Sequence, residues 1–373
     1  MASIKLNYKL IFRVCAVIAF FLFAYFFPSM VLYLFLAFIL ALMGKPIADI
    51  IYKVRIKKWR IPYGLCSFIA ILLFLVLLTV MGMLFAPMLL QEFTNLENIN
   101  YDTLATYLTH ALDQLQTFLH DNNIMSHEDT IVGIVTAEIK TLINIELFST
   151  LVGGVVNATG NFIMALFTIF FVAFFLIKDN ISFDKLVGVF VSDEYCERMT
   201  VISDKVNNLL SRYCLGSVIR IVIMIILLYV GLLLFGVKNA LFLAFLGGVL
   251  NIIPYLGPII GLLLSFLFGF IDCISMEYYA MIWPVFLKIS IVYVIANVID
   301  NVVLQPVIFS QSVKIHPIEV FVITILGGDI AGISGMILAI PVYTIIRIIL
   351  IEIYNYVNKN MILTVTNDSN FEV

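Results

Sequence analysis

The sequence predicts an all-α polytopic membrane protein whose C-terminal part carries two broken helical hairpins. Three observations predict it. Hydrophobic residues make up 63% of the 373 and charged residues 12%, against about 25% charged in an ordinary soluble domain. Apolar runs recur along the chain, and about 20 mostly apolar residues suffice for a helix to cross the hydrocarbon core. Two of these runs, 241–271 and 317–350, are interrupted near their centres by proline or glycine. A proline in a helix removes a backbone donor and crowds the preceding turn.

The elements follow in order. Residues 1–90 hold three transmembrane helices, over roughly 11–27, 30–43 and 64–90, the first two parted by Pro28-Ser29, read as a tight hairpin tip. Lys5, Lys9 and Arg13 precede an apolar stretch as in a signal peptide, but no small-residue cleavage site follows, so an uncleaved helix is expected. These basic residues, with Lys45, Lys53, Arg55, Lys57, Lys58 and Arg60 after the second helix, predict a cytoplasmic N-terminus and loop. Residues 91–149 are acidic, with Lys140 as the sole Lys or Arg, and are expected on the extracytoplasmic side. Leu104, Leu108, Leu112, Leu115 and Leu119 recur there at helical spacing, as do Ile131, Ile134, Ile139 and Leu142. A small helical cap is the expectation. A fourth helix over 150–177 returns inward, and 178–217 reads as a cytoplasmic amphipathic linker. A transport core over 218–350 and a cytoplasmic tail over 351–373 complete the chain.

Within the core, Pro254, Gly257 and Pro258 break the first segment, and Gly327, Gly328, Gly332 and Gly335 break the second. The apolar halves of 13 or 14 residues extend only about 20 Å at 1.5 Å per residue, short of a core about 30 Å thick. Re-entrant hairpins are therefore preferred to full crossings. Interrupted segments in matching positions point to a transporter site, because exposed backbone at membrane depth must line a cavity or be buried in protein. Gly328 and Gly332 also fit simple close packing of helices, which stays open as the alternative.

Ionisable groups at membrane depth are costly and usually functional. Asn297, Asp300, Asn301 and Gln305 lie three or four apart near the end of the 279–300 segment and fit one helix face. A carboxylate beside amides suits a proton, a cation or a polyol; a helix-capping Asp is the bland reading. Asp329 in the glycine-rich break suits a proton or cation, or caps the following half-helix. Asn251 and Tyr255 flank the first break, and Lys288 lies inside a span, to pair with Asp300 or Asp329 or to snorkel.

Other functions lack their signatures. No basic stripe with interleaved aromatics is present, which argues against nucleic acid. Cys15, Cys66, Cys196, Cys214 and Cys273 show no CxxC spacing, and His110, His120 and His127 lack i,i+4 spacing, so no metal and no cofactor is expected. There is no phosphate-binding loop, GxSxG or HExxH, and no convergent acid/base set. An enzyme is not expected.

The combined motifs resemble those of the autoinducer-2 exporter family, also described as PerM-like permeases. They are Phe-Leu-Ile-Lys178-Asp179, Ile-Pro254-Tyr255-Leu-Gly257-Pro258, Ile-Asp300-Asn301-Val-Val-Leu-Gln305-Pro306, His316-Pro317, and Gly327-Gly328 followed by Gly332-Ile-Ser-Gly335 and Pro341. The resemblance covers most of the chain. It implies about eight hydrophobic crossings, a homo-oligomer and transport of a small solute. One branch of the family is linked to export of a quorum signal and another to sodium/proton antiport. Glu often stands where this chain has Asp300. The expected protein is a secondary transporter in a bacterial inner membrane, exporting a small hydrophilic solute with coupling to H+ or a cation. Its partners would be the bilayer and that solute. A Na+/H+ antiporter and a non-transport scaffold or receptor are the alternatives.

Overall fold

A computed structural model of the chain describes residues 15, 16, 18, 19, 22–53, 61–97, 159–181, 196–276, 278–309 and 316–368. Among them there is helix and connecting turn but no strand. The helices are α1 (Pro28–Lys53), α2 (Tyr63–Glu97), α3 (Thr159–Lys178), α4 (Cys196–Leu234), α5 (Ala240–Leu250), α6 (Leu256–Ser275), α7 (Ile282–Ile299), α8 (Gln305–Phe309) and α9 (Pro317–Asp368). By length and composition, six helical stretches among the described residues are apolar enough to cross a membrane. The protein is therefore an all-α polytopic membrane protein. The acidic segment beyond Glu97, with its three histidines, lies outside the described residues.

At three of the expected boundaries the described helix runs on, each for a local reason. At Pro28 only Phe27 interrupts the helix: its amide bonds the Phe23 carbonyl and its own carbonyl accepts from Val31. Proline at a first helical position loses no helical bond, so the break is one residue wide rather than a hairpin loop. The second half of the expected linker is continuous with the fifth span in α4, because nothing between 196 and 234 stops a helix. The expected tail continues α9 as far as Asp368.

The chain divides into two compact units. The first comprises Met1–Leu77, Met164–Arg220 and Gln305–Val373, the second Leu78–Ile163 and Ile221–Leu304. In the first unit, small residues let helices approach. Ala37 and Ala41 of α1, Cys66 and Ala70 of α2, Ala173 of α3 and Val206 and Leu210 of α4 share one core. Pro46 inside α1 cannot bond the Leu42 carbonyl, and Ser211 Oγ of α4 donates to that oxygen at 3.0 Å instead. This repairs in protein what lipid would leave unsatisfied.

In the second unit, α4, α5, α6 and α7 enclose a core around Leu228, Leu232, Phe242, Leu243, Ile271, Ile289 and Tyr293. α6 and α7 are antiparallel, with Phe266 stacked on Phe286 at 4.8 Å between centroids. The Tyr293 hydroxyl donates to the Gly261 carbonyl at 3.1 Å and lies 2.7 Å from Ser265 Oγ.

Candidate functional site

The first broken segment is a helical hairpin. Asn239 Nδ2 donates to Asp272 at 3.0 Å, Phe242 meets Phe268 edge-on at 4.9 Å, and a Cβ on Gly261 would stand 3.1 Å from Gly247 Cα. All three pairs are centred on the break, so α5 and α6 run back to back. The tip is a series of turns: Ile252 N–H to Val249, Ile253 N–H to Leu250, and Gly257 N–H to Ile253. Gly257 sits against the Leu250 carbonyl with no room for a Cβ. Tyr255 takes φ 61°, ψ −46°, a conformation that costs a non-glycine residue about 1–3 kcal/mol. Tyr255 is exposed, whereas Asn251 is buried at the tip.

The second broken segment reverses as well. The helical residues of α9 count as a single long apolar stretch, Pro317–Glu352, yet they do not form one rod. Tyr343 Oη donates to Glu319 Oε2 at 2.6 Å. These residues are 24 apart, which in a straight helix is about 36 Å. Gly327 and Gly335 touch backbone to backbone, and Gly328 makes room for Met336. The reversal is at Ala331 (φ −141°, ψ 23°) and Gly332 (φ 59°, ψ −141°), the latter a region essentially reserved for glycine. Ser334 Oγ donates to the Ala331 carbonyl at 2.7 Å. Asp329 is exposed on the first arm.

The polar residues near the end of α7 adopt an unexpected geometry. Asp300–Leu304 form a π turn between α7 and α8. Pro306 explains it: its ring has no N–H for the Val302 carbonyl, and a wider turn absorbs the clash. Asp300 is 1% exposed, Asn301 is exposed and Gln305 half-buried. Asn297 Nδ2 is turned back onto the Tyr293 carbonyl at 2.8 Å. The antiparallel register of α6 and α7, set by Gly261 opposite Tyr293 and Phe266 opposite Phe286, has a direct consequence. Six residues on from Tyr293 is Ile299, the end of α7, and five back from Gly261 is Leu256, the start of α6, about 9 and about 8 Å along the axis. Asp300 and Asn301 are thus level with the first hairpin's tip, where Asn251, Pro254, Tyr255, Gly257 and Pro258 lie.

Lys288 is half-buried on α7, twelve residues before Asp300 and so about 18 Å away along the helix. That spacing leaves no ion pair between them within the chain. Asp329 and its glycines belong to the first unit, Asp300 and the first hairpin to the second.

Sequence reading missed a polar cluster at the open end of the first hairpin. Asn239 Nδ2 donates to both oxygens of Asp272, at 3.0 and 3.1 Å, and to Glu92 Oε1. Lys238 Nζ is 3.5 Å from Asp272 Oδ1. Glu92 follows the third apolar run, Lys238 and Asn239 precede the first broken segment and Asp272 closes it. Each alone reads as an ordinary interface residue. The available signal was that all four fall at segment ends that the basic-residue bias puts on one side. Among the described residues no group of three or more His, Cys, Asp or Glu side chains is gathered to hold a metal ion.

Apolar helices too long for a globule, two helical hairpins and a buried carboxylate level with a non-helical tip define a polytopic α-helical membrane protein. The chain belongs to the AI-2E family: the model of that family, described as "AI-2E family transporter", matches residues 14–355. It is 25% identical over 324 residues, 82% of each chain, to "Putative transport protein YueF" of Bacillus subtilis (strain 168). It is 26% identical to YrrI of the same organism, named in the same way, over 71% of each chain. The Escherichia coli (strain K12) protein "Putative permease PerM" is 28% identical over 152 residues, 39% of each chain. A role in transport follows from that membership.

Proposed function

We propose that the protein is a secondary transporter that exports a small hydrophilic solute across a bacterial inner membrane, coupled to H+ or a cation. The observation that carries this reading is the buried Asp300 in a π turn, level with the Pro254–Pro258 tip. A carboxylate at that depth is costly and usually marks the path of a proton, a cation or a polar solute. Non-helical backbone beside it needs water or protein around it, and a solute path supplies that.

In this reading both hairpins are re-entrant. The first has its open end outside and the second its open end inside. Asp300 and Asp329 take the coupling ion. Asn251, Tyr255, Asn297, Asn301 and Gln305 offer hydrogen bonds to the solute, with both termini in the cytoplasm and several copies of the chain assembled. The short first arm supports re-entry: the 11 residues of α5 extend only about 16 Å.

The test is flux in proteoliposomes over a panel of small polar solutes, with imposed pH and sodium gradients. Asp300→Asn is expected to reduce gradient-driven flux at least about tenfold, since it removes the carboxylate's charge. Unchanged flux in that variant overturns the assignment of Asp300. Proton flux driven by sodium alone, with no solute, turns the assignment to a sodium/proton antiporter.

A further inference from the structure

We propose that Lys178 and the phenylalanines that precede it on α3 form a binding site for an anionic phospholipid. The motif Phe-Leu-Ile-Lys178-Asp179 closes α3, and the transport reading gives it no role. Phe167, Phe171, Phe175 and Lys178 follow one another at steps of four, four and three, which puts them on one face of the helix. The rings form a ladder: Phe167 stacks on Phe171 at 5.6 Å between centroids, and Phe171 meets Phe175 at 4.9 Å. Phe167 and Phe171 are 67% and 52% exposed, so the stripe lies open. At its head the Lys178 ammonium is 5.2 Å from the Phe175 ring centroid and 6.0 Å from that of Phe174, within the range at which a ring face attracts a cation. Phe174 is braced by Phe68 of α2, edge-on at 6.3 Å. The lysine stem crosses α2 at Gly64, with three methylenes 3.7–3.8 Å from where a Cβ would stand. The charge is therefore held at the end of the stripe. Among the described residues no carboxylate forms an ion pair with it. Of the acids on α1 and just past α3, Asp49 accepts from Tyr63 Oη and Asp179 is exposed.

The dimensions select the ligand. The 20 residues of α3 extend about 30 Å, the thickness of the hydrocarbon core. Lys178, the last of them, stands at the level of the headgroups. Phe167, eleven residues earlier, is about 16 Å deeper, near the middle of the bilayer. The stripe thus has the length of one leaflet, with a cation at its wet end. A phospholipid of that leaflet lays an acyl chain along the rings and sets its phosphate against the ammonium. A headgroup of net negative charge gains most, because it brings no cation of its own to compete for the phosphate. The site needs neither a solute nor a coupling ion, so it stands whether or not the transport reading does.

A tryptophan placed in the stripe reads which lipid lies there. The experiment uses the full-length chain with Trp59→Phe, Trp283→Phe and Phe171→Trp, reconstituted into mixed vesicles of phosphatidylglycerol and phosphatidylcholine. Either one lipid or the other carries bromine atoms at the middle of its acyl chains, and quenching of the fluorescence gives their relative affinity at that position. Phosphatidylglycerol is expected to be preferred about fivefold, as one lysine near a membrane surface contributes. Adding Lys178→Gln is expected to bring the ratio to about one, and Lys178→Arg to keep it, since only the charge is required. With the tryptophan at Leu73 of α2 instead, itself 52% exposed, a ratio of about one is expected, because no cation closes that face. A ratio of one in the parent, a preference that survives Lys178→Gln, or no quenching by either lipid overturns the proposal. Should the tryptophan replacements unfold the protein, native mass spectrometry of the unaltered chain and of Lys178→Gln counts bound phosphatidylglycerol. Loss of one tightly held lipid in the variant upholds the site, and equal counts overturn it.

Discussion

The two hairpins share a plan and differ in how the rest of the chain holds them. The first is clasped along its length. Glu92, Lys238 and Asp272 close its open end, Gly248 lies against the Ile225 backbone of α4, and Tyr293 of α7 bonds across Gly261 and Ser265. The second is closed on itself by Tyr343 and Glu319 and by the Gly327–Gly335 contact. Its first arm leaves Ile318, Phe321, Leu326 and Ile330 exposed, and a Cβ on its tip glycine, Gly332, would meet nothing within 4 Å. Glycine therefore does two different jobs. In the first hairpin it lets neighbours approach; at the second tip it permits a backbone conformation.

Substitutions that separate those two jobs test the comparison, and the largest effect is expected where backbone meets backbone. A methyl on Gly257 would run into the Leu250 carbonyl and stand 3.0 Å from Asn251 Cα. Neither can swing away, so Gly257→Ala is expected to cost about 3 kcal/mol or more, read as a lower Tm in detergent. A cost under about 1 kcal/mol would mean that the first hairpin is loosely seated.

The next effect is conditional on a side chain. A methyl on Gly247 would collide with the Tyr293 hydroxyl. Gly247→Ala is expected to cost about 2 kcal/mol. Adding Tyr293→Phe should recover about 1 kcal/mol of it, a coupling that a double-mutant cycle isolates. Strict additivity of the two changes would show that Tyr293 does not clasp the hairpin.

These contrasts mark how far the sequence alone reaches. Both chain reversals were legible, because Pro254, Pro258, Gly327 and Gly332 are local signals; arm length was not, since the expected halves of 13 or 14 residues are 11 in α5 and 20 in α6. Asp300 was legible as a carboxylate in an apolar run. The clasp was not, because it depends on which residues of distant helices meet. Nothing local links Glu92 to Asn239, 147 residues on, or Ser265 to Tyr293. The π turn was also hidden, since a 3.6-residue period puts Asn297, Asp300 and Asn301 on one face, and only the strain of Pro306 within a packed helix widens the turn. Pro306 itself was the clue, as Pro46 was for the Leu42 carbonyl that Ser211 repairs.

At the second tip the cost should come from conformation alone. Gly332 adopts φ 59°, ψ −141° with open space around it, so Gly332→Ala and Gly332→Ser are expected to cost the same, about 1–2 kcal/mol each. A steep dependence on side-chain size would reveal a neighbour at that tip and weaken the contrast with Gly257.

The smallest effect on stability is expected at Asp329. It is exposed, three residues before Gly332, and surface changes of this kind stay within about 0.5 kcal/mol. Asp329→Asn should leave Tm nearly unchanged while altering gradient-driven flux, if its carboxylate meets the coupling ion as proposed. The paired readout sharpens the comparison: a large fall in Tm would mean that this arm is as tightly built in as the first hairpin. Flux and Tm both unchanged would remove Asp329 from ion coupling and leave Asp300 as the coupling carboxylate.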